Sequence, residues 1–342
     1  MSNLRLTLAC GPYDRTQALR DGTITPEGIE LNYITLQPAE IFWRMLQYRE
    51  FDVSEMSLSN YTSLVSGGNA PFIAIPVFPS RVFRHGYFFI NTSAGIEKPA
   101  DLAGKRGGVP EYSMTAAVYM RGLLQHEFGV KPNQVEWIQG RADRLGRTLP
   151  SDIKLTQAPA GTELGDLLDK GEIDFLMTAN NPLSFRRGSP NVKRLFPNYM
   201  ELEKDYYRRT KIYPIMHTVV IRREIYDRDP WVALSLYKAF ARAKEYSFRL
   251  LLETGVTQGL IRLAAAHDRA GTGDHRQGLV SLWHRREPTD HRGHAAIHGG
   301  ARPVGPPACG RRIVRAEYAA RYSAERRPAR VAPEAASTWI AP

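Results

Sequence analysis

Short apolar segments alternate with longer amphipathic segments over most of the chain, and this alternation constrains the fold more than any other feature. The apolar segments have the length and composition of strands, and the amphipathic ones have helical spacing. Strand and helix in alternation indicate an α/β fold with largely parallel sheets. We predict strands at 4–10, 28–36, 72–78, 84–92, 135–140 and 213–225, helices at 38–50 and 229–251, and a helix–turn–strand unit at 164–182. The segment 51–61 is predicted to start as a strand and to continue as a polar loop.

A loop that turns into a helix is predicted for Lys105–Leu124. Its glycines permit a tight bend, and Ser113 or Thr115 can cap the first helical turn. The first turn of a helix leaves backbone N–H groups free and therefore suits a carboxylate or a phosphate. An ordinary capped helix explains the same pattern, and both interpretations stay open.

The 342 residues are enough for two domains or lobes. We predict a first, discontinuous lobe from 1–88 plus 213–255, and a second lobe from 89–212. Two α/β lobes joined by two crossing segments form a cleft, and ligands of open α/β sheets lie at the carboxyl ends of the strands. The loops expected there are 13–15, 57–61, 81–85, 111–115 and 180–181.

The net charge of +11 is unevenly distributed. The segment 256–342 has fourteen arginines, no lysine and seven acidic residues, so it carries +7 and leaves +4 for residues 1–255. Six of the nine histidines also lie in this segment, and none of the thirteen phenylalanines. Since the first 255 residues are nearly balanced, the total charge does not indicate a nucleic acid partner.

Several classes of protein are not supported by the sequence. No apolar run reaches the roughly 18 residues of a membrane span, and the amino terminus lacks the pattern of a secretory signal. We therefore expect a cytoplasmic protein without a membrane partner. Two cysteines give no disulfide framework, and no metal-binding or nucleotide-binding motif is present, so we expect neither a metal nor a cofactor.

Three segments carry a resemblance to a known family: DLAGKRGGVPEYSMTAAVYMRGLL, EIDFLMTANNP and YPIMHTVVIRREIYDRDPWVALSLYKAF. Over roughly residues 3–255 the chain resembles the 4,5-dihydroxyphthalate decarboxylases. The resemblance implies a two-lobed fold like that of periplasmic solute-binding proteins. It also implies the loss of one carboxylate from 4,5-dihydroxyphthalate, or a related aromatic dicarboxylate, to give protocatechuate. The implied partner is a small aromatic carboxylate.

The resemblance stops near residue 256. The tail that follows reads like a GC-rich gene in the wrong frame. Trp283 to His298 can be back-translated so that dropping the first base gives GIDANRPITEAMLRYM, a family-like segment. With the same offset, Arg312 to Ala320 can give ELFAPSTL. We therefore expect 256–342 to be an aberrant, disordered tail, with a frameshift near 250–262. The rival interpretation is a basic tail that binds nucleic acid, but such tails normally contain lysine.

The implied reaction predicts three kinds of group in the cleft. A carboxylate that stays on the ring needs cations, the catechol needs hydrogen-bond partners, and the ring carbon needs a proton donor. Arg81 and Arg84 suit a carboxylate because a guanidinium binds it through two hydrogen bonds. The other expected contacts to substrate are Tyr112, Ser113, Thr115 and Asn180.

Three residues are candidate acid–base groups: His85, His217 and Glu111. Histidine titrates near neutral pH, and burial can bring a glutamate into the same range. Each also has a structural alternative. The histidines can be hydrogen-bonded core residues, and Glu111 can be a solvated loop carboxylate.

Other functions remain possible from the sequence. A non-catalytic binding protein for an aromatic carboxylate would have the same lobes. An enzyme of the thiamine-pyrimidine type would also share them, but no cysteine- and histidine-bearing pattern supports it.

Overall fold

A computed structural model describes residues 3–68, 70–146 and 148–252. The predictions made for 256–342, including the frameshift and the disordered tail, lie outside the described residues. None of the helices in the described part is long and apolar enough to cross a membrane.

Many of the described strands and helices follow the predicted alternation, but β8 (Leu155–Gln157), β10 (Val192–Arg194) and α7 (Tyr199–Thr210) were not predicted, and β6 (Arg106–Val109) lies where a loop was expected. The strands are β1 (Leu4–Cys10), β2 (Ile29–Thr35), β3 (Val53–Ser57), β4 (Phe72–Arg81), β5 (Phe88–Asn91), β6 (Arg106–Val109), β7 (Glu136–Gln139), β8 (Leu155–Gln157), β9 (Phe175–Met177), β10 (Val192–Arg194) and β11 (Ile215–Arg222). The helices are α1 (Gln17–Arg20), α2 (Pro38–Tyr48), α3 (Leu58–Ser66), α4 (Thr115–Phe128), α5 (Leu164–Asp169), α6 (Leu183–Arg186), α7 (Tyr199–Thr210), α8 (Arg223–Arg228) and α9 (Trp231–Leu252).

The first sheet has the strand order β2-β1-β3-β11-β4. β1 is parallel to β2 and β3, whereas β11 is antiparallel to both of its neighbours. Helix α9 packs its buried residues with those of β1, β4 and β11, and α2 belongs to a separate apolar cluster with β3 and β4. A late strand, from residue 215 onward, therefore completes a sheet whose other strands end by residue 81.

The second sheet has the order β10-β5-β9-β6-β7-β8 and uses strands from residues 88–194. β6, β7, β8 and β9 run parallel, and β5 is antiparallel to both β9 and β10. Two glycines of β6 lie tightly against the second sheet's core. A Cβ on Gly107 would come within 2.4 Å of the Phe175 ring, so a side chain there would displace the core.

The predicted α/β class with largely parallel sheets is confirmed, and among the described strands β11 in the first sheet and β5 in the second run against the others. The lobe boundaries stay a prediction.

The polar segment after β3 is a helix rather than the expected loop, because Tyr61 and Leu64 pack on the apolar cluster around α2. The predicted cap of α4 is also wrong. Met114 occupies the cap position, without a side-chain hydrogen bond.

The ends of strands bring one set of loops together. The carboxyl ends of β1, β3 and β4 lie at one edge of the first sheet, and antiparallel β11 begins at that same edge. Hydrogen bonds then connect this edge to the loop after β6 in the second sheet. This junction holds the groups described below.

Candidate functional site

A fully buried glutamate, Glu55, forms the centre of the candidate site. It lies in β3, all five residues of which are buried, with strands on both sides. Its Oε2 accepts a hydrogen bond from the Gly11 backbone N–H at 2.9 Å, and Cys10 Sγ lies 3.8 Å from the same oxygen. A buried carboxylate is costly unless donors surround it, and the turn after β1 supplies such donors.

His217 binds the other oxygen of this carboxylate. Its Nδ1 lies 2.6 Å from Glu55 Oε1, and β11 carries it opposite Ser57 of β3. A carboxylate at Nδ1 holds the ring in the tautomer that has its proton on that nitrogen, and it stabilises the imidazolium. Nε2 has no hydrogen-bond partner among the described residues, and the side chain is 19% exposed. Nε2 is therefore available for proton transfer to a bound ligand.

Tyr13 completes this group. Its hydroxyl donates to Glu55 Oε1 at 2.5 Å and lies 3.3 Å from His217 Nδ1. Burial, together with the negative charge of Glu55, raises the pKa of Tyr13 well above its usual range, so the hydroxyl stays protonated and remains a donor. Phe42 contacts the His217 ring edge-on at a centroid distance of 4.9 Å, which fixes the ring from a second side. The three polar side chains form what we call the Tyr13–Glu55–His217 group.

A cluster of hydroxyl groups lies where the two sheets meet. Ser57 Oγ and Thr115 Oγ1 are 2.8 Å apart, and the Ser59 backbone N–H donates to Thr115 Oγ1 at 3.1 Å. Ser59 Oγ donates to the Ser113 carbonyl at 2.7 Å. Thr115 starts α4 but uses its hydroxyl across the junction, which explains why it does not cap its own helix. Since Ser57 pairs with His217 across the sheet, these hydroxyls adjoin the Tyr13–Glu55–His217 group.

The two predicted arginines occupy different surroundings. Arg81 is exposed, donates twice to the Tyr213 carbonyl and stacks on the Tyr213 ring at 4.7 Å. Arg84 is only 5% exposed and donates to the Ala179 carbonyl at 3.3 Å and to Met216 Sδ. The structure therefore places Arg84 inside the junction and Arg81 at its surface.

Glu111 does not have the surroundings of the acid or base expected from the sequence. Its side chain is fully buried, and its Oε2 accepts from Arg144 at 2.7 Å and from Arg141 at 3.0 Å. Two guanidinium groups on one buried carboxylate make a structural ion pair that holds the 141–144 loop. We correct the expectation on this ground and leave Glu111 out of the proposed chemistry.

Of the other residues predicted to contact a ligand, some lie in the junction and others lie in the core or at the surface. Tyr112 is buried in the core, with Trp137 beside it and the Arg121 guanidinium 3.6 Å from its ring centre, so the expected ligand contact is not supported. Ser113 and Thr115 belong to the hydroxyl cluster. Asn180 is exposed in the loop after β9, next to the carbonyl that Arg84 binds.

His85 lies apart from the Tyr13–Glu55–His217 group, contrary to the expectation that it is an acid–base residue. It is 3% exposed, and its Nδ1 has no hydrogen-bond partner in the described part of the chain. Its ring lies against Tyr206 and Phe196 at centroid distances of 5.4 and 6.1 Å. Burial lowers the pKa of His85 to about 4. An imidazole that is neutral at pH 7 and packed among aromatic rings is a core residue.

We expect this histidine to make stability depend on pH. Between its usual pKa of 6.5 and about 4, the unfolded chain binds a proton that the folded chain does not, so stability falls as the pH falls through this range. The full effect is roughly 3 kcal/mol at most. His85→Leu removes it, and urea unfolding at pH 7 and pH 5 measures the difference from wild type.

A second buried group must be allowed for in this measurement. Burial raises the pKa of Glu203 from 4.5 to about 7, so between these values stability falls as the pH rises, which offsets the effect of His85. The difference between variants is therefore the informative quantity, and an equal pH dependence for His85→Leu and wild type would contradict the assignment.

Two residues of the site were not singled out as catalytic from the sequence. Tyr13 belongs to the 13–15 loop expected near the cleft, and Glu55 is not among the acid–base or binding candidates of the sequence. The strand Val53–Ser57 has the mixed sequence VSEMS, so only its complete burial in the structure shows that Glu55 needs a specific partner. No group of three or more metal-ligating side chains occurs among the described residues, and His85 and Glu111 do not join Glu55 and His217.

Similar proteins place the chain in a family. No protein-family model matches it. It is 39% identical over 264 residues to the 4,5-dihydroxyphthalate decarboxylase of Comamonas testosteroni, covering 75% of this chain and 80% of that protein. It is 38% identical over 214 residues to the enzyme of the same name from Pseudomonas putida, covering 61% of this chain and 83% of that protein. Among solved structures, the periplasmic aliphatic sulphonate binding protein SsuA of Escherichia coli aligns with a TM-score of 0.45 at 14% identity, covering 80% of this chain and 86% of that one. On the identity and coverage of the two sequence relatives, the chain belongs to the 4,5-dihydroxyphthalate decarboxylase family.

Proposed function

We propose that the protein catalyses the non-oxidative decarboxylation of 4,5-dihydroxyphthalate, or of a closely related aromatic dicarboxylate. The observation that carries the proposal is the Tyr13–Glu55–His217 group, in which a buried carboxylate orients a histidine and leaves one ring nitrogen available. Membership of the family supplies the substrate class and the reaction.

The chemistry avoids a free aryl carbanion. The hydroxyl para to the departing carboxylate donates electron density into the ring, and the ring carbon that bears this carboxylate accepts a proton. The C–C bond to the carboxylate then breaks, its electron pair restores the aromatic ring, and CO₂ leaves. One proton is consumed for each CO₂ released, and the product is protocatechuate.

His217 is the proton donor in this proposal. Its Nε2–H protonates the ring carbon, and Nδ1 keeps its hydrogen bond to Glu55 Oε1. Glu55 stabilises the imidazolium before transfer, and Tyr13 stabilises the carboxylate by donating to the same oxygen. The hydroxyls of Ser57, Ser59 and Thr115 supply hydrogen-bond partners for the catechol. Solvent returns the proton to His217 after CO₂ has left.

The test is a decarboxylation assay on two proteins in parallel. One is this chain, and the other has residues from about 256 onward returned to the alternative reading frame. We expect 4,5-dihydroxyphthalate to give equal amounts of CO₂ and protocatechuate with at least the second protein. In D₂O the product should carry one deuterium at the position of the lost carboxylate. If both proteins fold and bind the substrate without releasing CO₂, the decarboxylase proposal fails and a binding protein for an aromatic carboxylate takes its place.

A further inference from the structure

Arg84 is a buried cation without an acidic partner. No carboxylate among the described residues lies within ion-pair distance of its guanidinium, although the residue is only 5% exposed. The contacts that it makes are to a carbonyl, to a thioether and, at 5.1 Å, to the face of the Tyr87 ring. Burial lowers the pKa of Arg84 to about 10, which still leaves it charged at neutral pH. Arginines are seldom so buried unless a counter-charge is provided.

A second arginine, Arg194, lies beside the same segment. Its Nε donates to the Gly86 carbonyl at 3.1 Å, two residues from Arg84, and its Nη2 donates to Asn181 Oδ1 at 3.1 Å. Aromatic rings of Phe185, Tyr199 and Phe89 surround its guanidinium at 4.7 to 5.3 Å. The described residues place no carboxylate within ion-pair distance of it either. The rings and the two hydrogen bonds hold this cation in one position, as expected of a preorganised binding group.

One carboxyl group, Glu203, faces both arginines without touching them. It accepts from the Gly86 backbone N–H at 3.4 Å and interacts electrostatically with Arg84, Arg194 and Tyr199. Burial raises the pKa of Glu203 to about 7, so it is partly protonated near neutral pH. Two guanidinium groups and at most one negative charge leave an excess of positive charge in this region of the junction.

Arg84 lies beside the strand that carries His217. It contacts Met216, the residue before His217 in β11. It also binds the Ala179 carbonyl, and Asn180 and Asn181 follow in the loop after β9. We propose that Arg84 and Arg194 form a carboxylate subsite that holds the carboxylate remaining on the ring, so that the departing one is presented to His217. This inference rests on the proposed function for the identity of its ligand.

Binding measurements without turnover test the subsite separately from the chemistry. Protocatechuate keeps the retained carboxylate, whereas catechol lacks it, so the ratio of their dissociation constants reports on this carboxylate alone. We expect wild type to bind protocatechuate at least tenfold more tightly than catechol in calorimetric titrations. Arg194→Gln should weaken protocatechuate binding by about 10- to 100-fold and change catechol binding less than twofold, because a charge-assisted hydrogen bond is lost.

Three further variants decide between a binding role and a structural one. Arg84→Lys keeps the buried charge but loses the forked geometry and should weaken protocatechuate selectively. Glu203→Gln removes the facing negative charge and should leave protocatechuate binding unchanged or tighter, whereas loss of a structural counter-ion would weaken both ligands. Arg187→Gln, an exposed arginine next to α6, is the charge-matched control and should match wild type.

The possible outcomes separate the subsite from the enzyme activity. Absence of discrimination between the two ligands in wild type, or equal loss of both in folded Arg194→Gln and Arg84→Lys, overturns the subsite. Discrimination that depends on the arginines, in a protein that releases no CO₂, supports the subsite and refutes the decarboxylase proposal.

Discussion

Replacement of His217 by glutamine should lower kcat/KM for 4,5-dihydroxyphthalate by about 10³-fold. Glutamine has nearly the same reach and can still hydrogen-bond to Glu55, but it cannot deliver a proton to carbon. General acid catalysis by a positioned side chain contributes about 10²- to 10⁴-fold, and the loss of His217 removes it. The measurement is initial-rate CO₂ release at saturating and subsaturating substrate, on whichever form of the chain is active.

The binding role of His217 is expected to be small, so KM should change by only a few-fold while kcat carries the loss. His126→Gln is the matched control, since His126 is exposed on α4 at a distance from the group, and it should retain wild-type rates. Thermal unfolding of each variant checks that the fold is kept. A folded His217→Gln protein with wild-type kcat would show that another group protonates the ring.

The residue pattern predicts several elements of this fold but not α7, β8 or β10. The apolar alternation of 4–10 and the helical spacing of 229–251 appear as β1 and α9, because each buries one continuous apolar surface. Pattern was insufficient for α3, whose serines, asparagine and threonine resemble a loop. There, packing of two side chains against the α2 cluster outweighs weak local helix propensity.

The site could be predicted only in part, because it depends on contacts between distant segments. His217 was recognisable at the start of an apolar strand, but its partner Glu55 lies 162 positions earlier and meets it only when β11 pairs with β3. From residue type alone, Glu111, His85 and His217 are equally good candidates for an acid–base residue. The distinction came from surroundings that a sequence does not display: two arginines around Glu111, and aromatic rings around an unpartnered His85.

Replacement of Glu55 by glutamine should lower kcat by about 10²- to 10⁴-fold, although Glu55 does not contact the ring carbon. The neutral amide no longer stabilises the imidazolium. The NH₂ group of the glutamine replaces one of the two carboxylate oxygens and then faces a hydrogen-bond donor. At the Oε2 position this donor is the Gly11 N–H, and at the Oε1 position the donors are His217 and Tyr13. If the amide turns its NH₂ toward Nδ1, the histidine changes tautomer and its proton moves to Nε2 without the charge that drives transfer. An unpaired buried donor costs about 1–3 kcal/mol, so stability should also fall.

A double-mutant cycle separates this positioning role from a purely structural one. If Glu55 acts through His217, adding Glu55→Gln to His217→Gln should lower kcat little further, because the group that Glu55 positions is already gone. A structural defect would lower kcat by a similar factor in both backgrounds. Asp52→Asn is the matched control, because Asp52 also accepts a backbone N–H, from Thr7 at 2.8 Å, and pairs with Arg222 away from the site. Asp52→Asn should lose stability and change kcat by the same factor with or without His217, and equal factors for Glu55→Gln in the two backgrounds would remove Glu55 from the proton transfer.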